Sequence, residues 1–385
     1  MKNFKEKPMG EAPLMKVSDK NIVLFHPHIP KNASKYVTET LNTRWIGQGP
    51  KVDLFEKQFT EKFAKDFVSL SCGSGTDALH LSYLLAGLKE GDEVIAPLFT
   101  CTATNIALLY LGVKIKFADV QKETLNIDPK HVKKLVNNKT KAIVCVHYGG
   151  LPCDMDELQS IADEFKIPII EDAAHALGAM YKGKHIGSIS DFTMFSFQAI
   201  KNLTTGDGGM VTYKDKNGLY EKGKRLRWFG IDRSAKQGGI WENDIKEIGY
   251  KYQMNDISAA IGLASLEEFD QTMTYRKELF ALYEELLSGI DGLSFVGGGF
   301  KDREHGAWMC TVLVDRRKDL LNKLRANNIE SAQVHYRNDR YSIFGGRKVF
   351  ENMDIVEDKY LVSPLHTKMS LEDVKIVCKV IKSGW

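Results

Sequence analysis

The chain has 385 residues, 43% of them hydrophobic, enough to bury the core of one large domain and a smaller one. Its net charge of +3 is spread along the chain and leaves no footprint for nucleic acid. No apolar run approaches the ~18 residues of a membrane span. Six cysteines (Cys72, Cys101, Cys145, Cys153, Cys310, Cys378) show no CxxC spacing, which suits reduced thiols in a cytoplasmic protein without a metal site. The polar stretch 1–16 lacks the apolar centre of a signal peptide and reads as a loose tail.

A helical segment is expected near 51–65. Strand-like runs at 67–71, 93–96, 114–118, 141–147 and 167–171 then alternate with helical runs at 76–88, 102–111, 129–138 and 154–165. This rhythm predicts an α/β domain of three layers, a mostly parallel sheet covered by helices on both faces. Ligands of such sheets lie beyond the carboxyl ends of the strands, where the 72–76 loop and Asp172 both fall. From 258 the pattern changes to a long helix ending near 288, strands near 293–296 and 308–314, and helices near 317–327 and 371–382. The division expected is a large domain over 18–257 and a smaller α+β domain over 258–385.

The stretch from 171 to 209 carries the chemistry. One apolar run, 167–170, ends in Glu171 and Asp172. A second, 192–197, contains Ser196 and leads to Lys201, followed at once by NLTTGDGG. Alone, a carboxylate at a strand end is a cap or turn residue, and a loop lysine is a solvated charge. Together they suit pyridoxal 5′-phosphate (PLP). That cofactor withdraws electrons only while its ring nitrogen is protonated, which a neighbouring carboxylate favours, and its aldehyde needs a lysine amine to form a Schiff base. Asp172 fits the first role and Lys201 the second. CGSGTDAL closes a strand and opens a helix. A helix start with small residues holds an anion, so Gly75 and Thr76 are candidates for the cofactor phosphate.

The order and spacing of several pieces resemble one family, the DegT-type sugar-nucleotide aminotransferases of the fold-type-I PLP superfamily. These pieces are WIGQGPKVDLFE, CGSGTDAL, GDEVIAPLFTCTATNIA, HYGGLPCDMD, EDAAHALGAMYKGKHIG, FSFQAIKNLTTGDGG, GYKYQMNDISAAIG and SPLHTKMS, and they run from about Trp45 to about Asp373. The resemblance implies a homodimer with shared active sites that moves an amino group from an amino acid, glutamate, to a keto sugar. The acceptor it implies is a nucleoside-diphosphate-linked 4-keto-6-deoxyhexose.

The resemblance also implies roles. Ser196 joins the phosphate site, and His175 lies near the cofactor or substrate. Lys251, in GYKYQMND, reaches the PLP phosphate of the partner subunit. Trp45, Ile46, Gln48, Trp308, His335 and Arg337 fall at substrate positions. By charge alone, apart from the resemblance, Arg225, Arg227 and Arg233 could pair with a substrate diphosphate, although surface arginines are the commoner case. Three positions depart from the pattern: Cys101 stands where an aromatic ring usually covers the cofactor, and Met309 and Arg340 replace common histidines. Either Phe99 takes the place of the missing ring or the cofactor is held without one. The same departures leave open a small ketone acceptor, an inosose or a phosphorylated triose. An intact Lys201 argues against the sugar dehydratases of the same fold, which carry histidine there, and the Asp172–Lys201 pair argues against a regulator that binds cofactor or sugar nucleotide without catalysis.

Overall fold

The computed structural model describes residues 14–18, 20–242 and 244–385, so most of the segment read as a tail lies outside the described residues. The centre is a seven-stranded sheet of β1 (Val68–Cys72), β2 (Glu93–Pro97), β3 (Lys114–Ala118), β4 (Thr140–Val146), β5 (Ile169–Asp172), β6 (Phe192–Ser196) and β7 (Gly209–Tyr213). Their spatial order is β3-β2-β4-β5-β6-β7-β1. Neighbours are parallel except around β7, which runs against both β6 and β1. β7 was not among the expected strands. It follows directly on the Gly-rich run after Lys201 and returns the chain between two strands already formed.

Alternation along each strand sends successive side chains to opposite faces. Ile95, Ile143, Ile169 and Phe195 point to one layer, with Phe55, Phe59 and Phe63 of the helix Pro50–Phe63 and Leu158 and Ile161 of Met155–Phe165. Val94, Val144, Ile170 and Met194 point to the other, with Leu79, Leu81 and Leu85 of Gly75–Leu85 and Leu108 of Thr102–Leu109. Each fully buried side chain of this size contributes about 1.5–3 kcal/mol, so the two apolar layers hold the sheet edges in register.

The helix Asp256–Leu287 joins two cores. Ala259, Leu263, Phe269 and Met273 pack with the large sheet, whereas Leu279, Tyr283 and Leu287 pack with Val312, Leu324 and Val377. A second sheet, antiparallel, runs β8 (Leu293–Phe295), β9 (Cys310–Val314), β10 (Tyr360–Ser363) in that order. The segment 22–24 bonds to this C-terminal part, through Ile22 and Asn328 and through the Leu24 amide and Glu330. No helix among the described residues is long and apolar enough to cross a membrane.

Candidate active site

The carboxyl ends of β1, β5 and β6 and the start of β7 share one edge of the sheet. Register fixes this: Cys72 pairs with Gly209, Gly209 with Ser196, and Asp172 with Met194. Asp172 is itself the last strand residue, and the strand starts at Ile169 after the chain turns out of the preceding helix through Lys166, whose φ is 54°.

Asp172 is 4% exposed. Its Oδ2 accepts from the Thr104 hydroxyl at 2.7 Å and its Oδ1 from the Ala174 amide at 3.1 Å. Burial pushes its carboxyl above the ordinary range, and Thr104, Ala174 and the charge of Lys201 pull it back in part. A cationic ring nitrogen beside it would draw it down further.

Lys201 places its Nζ 3.7 Å from the centre of the Trp308 ring. Burial brings its amine down to about 8, opposed by Cys101 and Asp172, so more of it is a neutral nucleophile near neutrality than in an exposed lysine. The Trp308 indole is buried, donates to the Ile200 carbonyl at 3.0 Å and stacks on His175 at 3.9 Å. His175 stacks in turn on His335 at 5.1 Å, and their Nε2 atoms lie 3.3 Å apart. The Gly149 amide points at His175 Nδ1 at 3.4 Å, which leaves Nε2–H to donate to His335. Burial and then Lys201 push both rings down, His335 to about 3, so both stay neutral across the physiological range. Phe25 also stacks on Trp308 at 5.6 Å, a contact the sequence reading did not foresee.

The turn after β1 comes against Ser196. A Cβ on Gly75 would lie 2.9 Å from the Ser196 Cβ, and one on Gly209 would lie 2.4 Å from the Ser74 carbonyl, so only glycine permits these approaches. Ser74 caps the helix Gly75–Leu85 by accepting from the Asp77 amide at 3.0 Å. The Gly75 and Thr76 amides, in the first turn, have no carbonyl within the helix to meet. A buried carboxylate, a depressed lysine and a helix start beside a serine hydroxyl are the donor set PLP needs at its ring nitrogen, aldehyde and phosphate. The residues present fit the cofactor.

Other candidates lie elsewhere. Arg337 is not a substrate residue in this fold. It is fully buried, donates bidentately to Asp339 at 2.7 and 2.9 Å, and also meets Asp354, Glu357 and the Lys348 carbonyl. Its guanidinium neutralises a buried acidic cluster and has no face left for a ligand. Trp45 and Ile46 are exposed, and Trp45 and Gln48 line a separate surface cavity of about 310 Å³ with Arg225, Arg227, Trp228 and Arg233. Arg225 is paired with Glu247 and Arg227 with Glu56, whereas Arg233 donates to the Gln48 carbonyl. Lys251 is exposed and stacks its Nζ 3.8 Å over Trp228, although Tyr252 next to it accepts from the Gly73 amide. Among the described residues no hydrogen bond, ion pair or ring contact joins Trp45, Gln48 or Lys251 to the Lys201 cluster.

Cys101 stands at the position before the helix Thr102–Leu109, and its side chain makes no capping hydrogen bond. Phe99 does not move in to replace a ring there. It is buried between Tyr148 and Tyr360 at 5.0 and 4.9 Å. Met309 is buried, and Arg340 lies over the Tyr336 ring. Thr104 escaped the sequence reading, because a threonine in a first helical turn gives no signal until the fold brings Asp172 to it.

Residues 27–382 match the profile of the DegT/DnrJ/EryC1/StrS aminotransferase family. GDP-perosamine synthase of Escherichia coli O157:H7 is 34% identical, over 94% of this chain and 98% of that protein. The crystal structure of AtS13 from Actinomadura melliaura superimposes with a TM-score of 0.90 at 35% identity, covering 96% of this chain and all of that one. Spr1654 from Streptococcus pneumoniae, solved in a PLP-form, superimposes at 0.87 with 28% identity over 94% of this chain and 98% of that one. The chain belongs to the DegT/DnrJ/EryC1/StrS aminotransferase family.

Proposed function

We propose that this aminotransferase uses PLP to move an amino group from glutamate to a keto sugar carried on a nucleoside diphosphate, a 4-keto-6-deoxyhexose. The observation that carries this reading is the meeting of Asp172, Lys201 and the Gly75–Ser196 approach at one edge of the sheet. The similarity to a GDP-perosamine synthase supports a sugar acceptor.

The cofactor, when bound, supplies an electron-poor ring that takes up charge from the carbon being deprotonated. Asp172 holds the proton on its ring nitrogen. The Gly75 and Thr76 amides and the Ser196 hydroxyl bind its phosphate. Lys201 Nζ would anchor the aldehyde carbon and, once displaced by the amino acid, would move the proton from the substrate Cα to that former aldehyde carbon. Water would release the carbon skeleton of the amino acid as a 2-oxo acid, and in the return half-reaction the sugar carbonyl would gain the amino group and give up its oxygen as water. His335, neutral and accepting from His175 at Nε2, keeps its Nδ1–H to offer a sugar hydroxyl without repelling the lysine, while both nitrogens of His175 are engaged within the protein. Lys251, exposed and with no carboxylate partner among the described residues, is assigned to the partner subunit's phosphate site, as a point charge.

The test is to convert purified protein to its pyridoxamine form with glutamate and to add GDP-, UDP- or dTDP-linked 4-keto-6-deoxyhexoses, an inosose or a phosphorylated triose. Loss of the pyridoxamine absorbance with the keto sugar nucleotides alone is the expected result. Loss with the small ketones alone would move the acceptor to that class, and bound cofactor without any transfer would mark a regulator.

A further inference from the structure

Asp172 sits at the end of a chain of hydroxyls whose direction is fixed. An ionised carboxylate can only accept, so the Thr104 hydroxyl gives its proton to Oδ2 at 2.7 Å. Thr104 must then accept from Thr100, whose hydroxyl lies 2.9 Å away. Both threonines are buried, at 0% and 1% exposure, so no water competes for these protons. The Thr104 main chain is held as well, since its carbonyl accepts from the Tyr83 hydroxyl at 3.0 Å.

The outer end of the chain is fastened by the C-terminal part of the protein. Tyr336 and Arg337 form a two-residue antiparallel ladder with Thr100 and Phe99. The Asn338 amide donates to the Leu98 carbonyl at 2.7 Å, and its side chain donates to the Thr100 carbonyl at 2.9 Å. Asn105, one residue beyond Thr104, donates to Asn338 Oδ1 at 2.8 Å. The buried Arg337 cluster anchors this segment in turn.

We infer that Thr104 is a positioning residue for amino transfer, turning one oxygen of Asp172 toward itself so that the carboxylate plane and its remaining lone pairs are aimed at the cofactor ring nitrogen, with Thr100 and Asn338 fixing Thr104 from behind. This inference rests on the PLP reading proposed above. It places the control of a large-sheet carboxylate partly in a segment more than 160 residues later in the chain.

The experiment loads the holoenzyme with PLP labelled with ¹⁵N in the ring and reads the nitrogen chemical shift, which separates pyridinium from neutral pyridine. The wild type is expected to show pyridinium. Thr104→Val, similar in shape but without the hydroxyl, should move the shift toward the neutral ring and lower kcat by about ten- to a hundredfold, the size of one hydrogen bond to a charged group. KM for the amino acid should stay within about twofold, since ground-state binding is not the loss predicted. Thr104→Ser should restore both shift and rate. A Thr104→Val holoenzyme with wild-type shift and wild-type kcat would overturn the inference. If Thr104→Val does not fold, Thr100→Val removes the donor to Thr104 without touching Asp172. A smaller displacement of the shift in the same direction is then expected, and an unchanged shift overturns the inference. A wild type that takes up no PLP defeats the proposed function itself.

Discussion

Glu171 and Asp172 are adjacent acids on one strand end, both buried, and they live in opposite electrostatic worlds. Strand alternation sends them to different faces of the sheet. Glu171 meets three protein donors: His147 Nε2 at 2.7 Å, the Thr193 hydroxyl at 2.9 Å and the Ser190 amide at 3.1 Å. Burial pushes its carboxyl up, and these partners hold it below the ordinary range. The His147 ring is fixed as well, because the Cys153 amide donates to its Nδ1 at 3.0 Å and leaves the proton on Nε2. Among the described residues Asp172 meets two donors, and it stays raised, facing Lys201. A carboxylate that is saturated by its own protein holds the fold. One left short of partners is available to a ligand.

The comparison can be broken by removing the charges in turn. Lys201→Ala should abolish turnover and the visible absorbance of bound PLP. Turnover at the wild-type rate would remove Lys201 from the chemistry. Asp172→Asn should cut kcat by about 10²–10⁴-fold, the range of positioned acid–base groups, with little change in melting temperature. Glu171→Gln should do the reverse. Loss of one charged acceptor among three buried donors should destabilise by about 1–3 kcal/mol, read by denaturant unfolding, while kcat per folded molecule holds. Equal kinetic losses in both variants would erase the distinction drawn here.

Arg337 sharpens the same point on the side of the cations. Arg337→Met leaves Asp339 and its neighbours without a buried partner and should cost about 3–5 kcal/mol. KM for the sugar nucleotide in the folded fraction should not change, whereas a substrate-binding arginine would raise it.

Two smaller effects follow from titration. Lys201 is lowered to about 8, so the rate at which apoprotein captures PLP should rise with pH through about 8 and level off above it. A rise centred near the free-lysine value would contradict the burial seen here. His80 and His366 are lowered to about 4, and His305 and His335 to about 3, all with burial as the main cause. The unfolded chain takes up protons below its ordinary histidine range and the folded chain does not. The stability these rings contribute is therefore complete above about 6.5 and is lost as pH falls toward 4. Denaturant midpoints measured between pH 7 and 4 should fall across that window.

Much of the site was legible from local pattern. Asp172, Lys201 and the CGSGT turn stand beside apolar runs whose length and spacing mark strand ends, and strand ends are where an α/β sheet presents its chemistry. The mostly parallel sheet was legible for the same reason, since alternating strand and helix periods leave few other ways to bury both faces. β7 was missed because its apolar run is short and follows a glycine-rich turn that reads as loop.

The positions expected to meet substrate were less legible. Trp308 and His335 reach Lys201 only because the C-terminal part folds back over the large sheet, and Arg337, two residues from His335, turns the other way into an acidic core. Nothing in VHYRND distinguishes the two. By itself the sequence determined which residues could do the chemistry, because propensity and side-chain period act over a few neighbours. Tertiary structure alone decided which of two adjacent carboxylates is left with lone pairs to offer, and which hydroxyl aims it. Those outcomes depend on donors that arrive from segments tens to hundreds of residues away, and burial makes each such donor count.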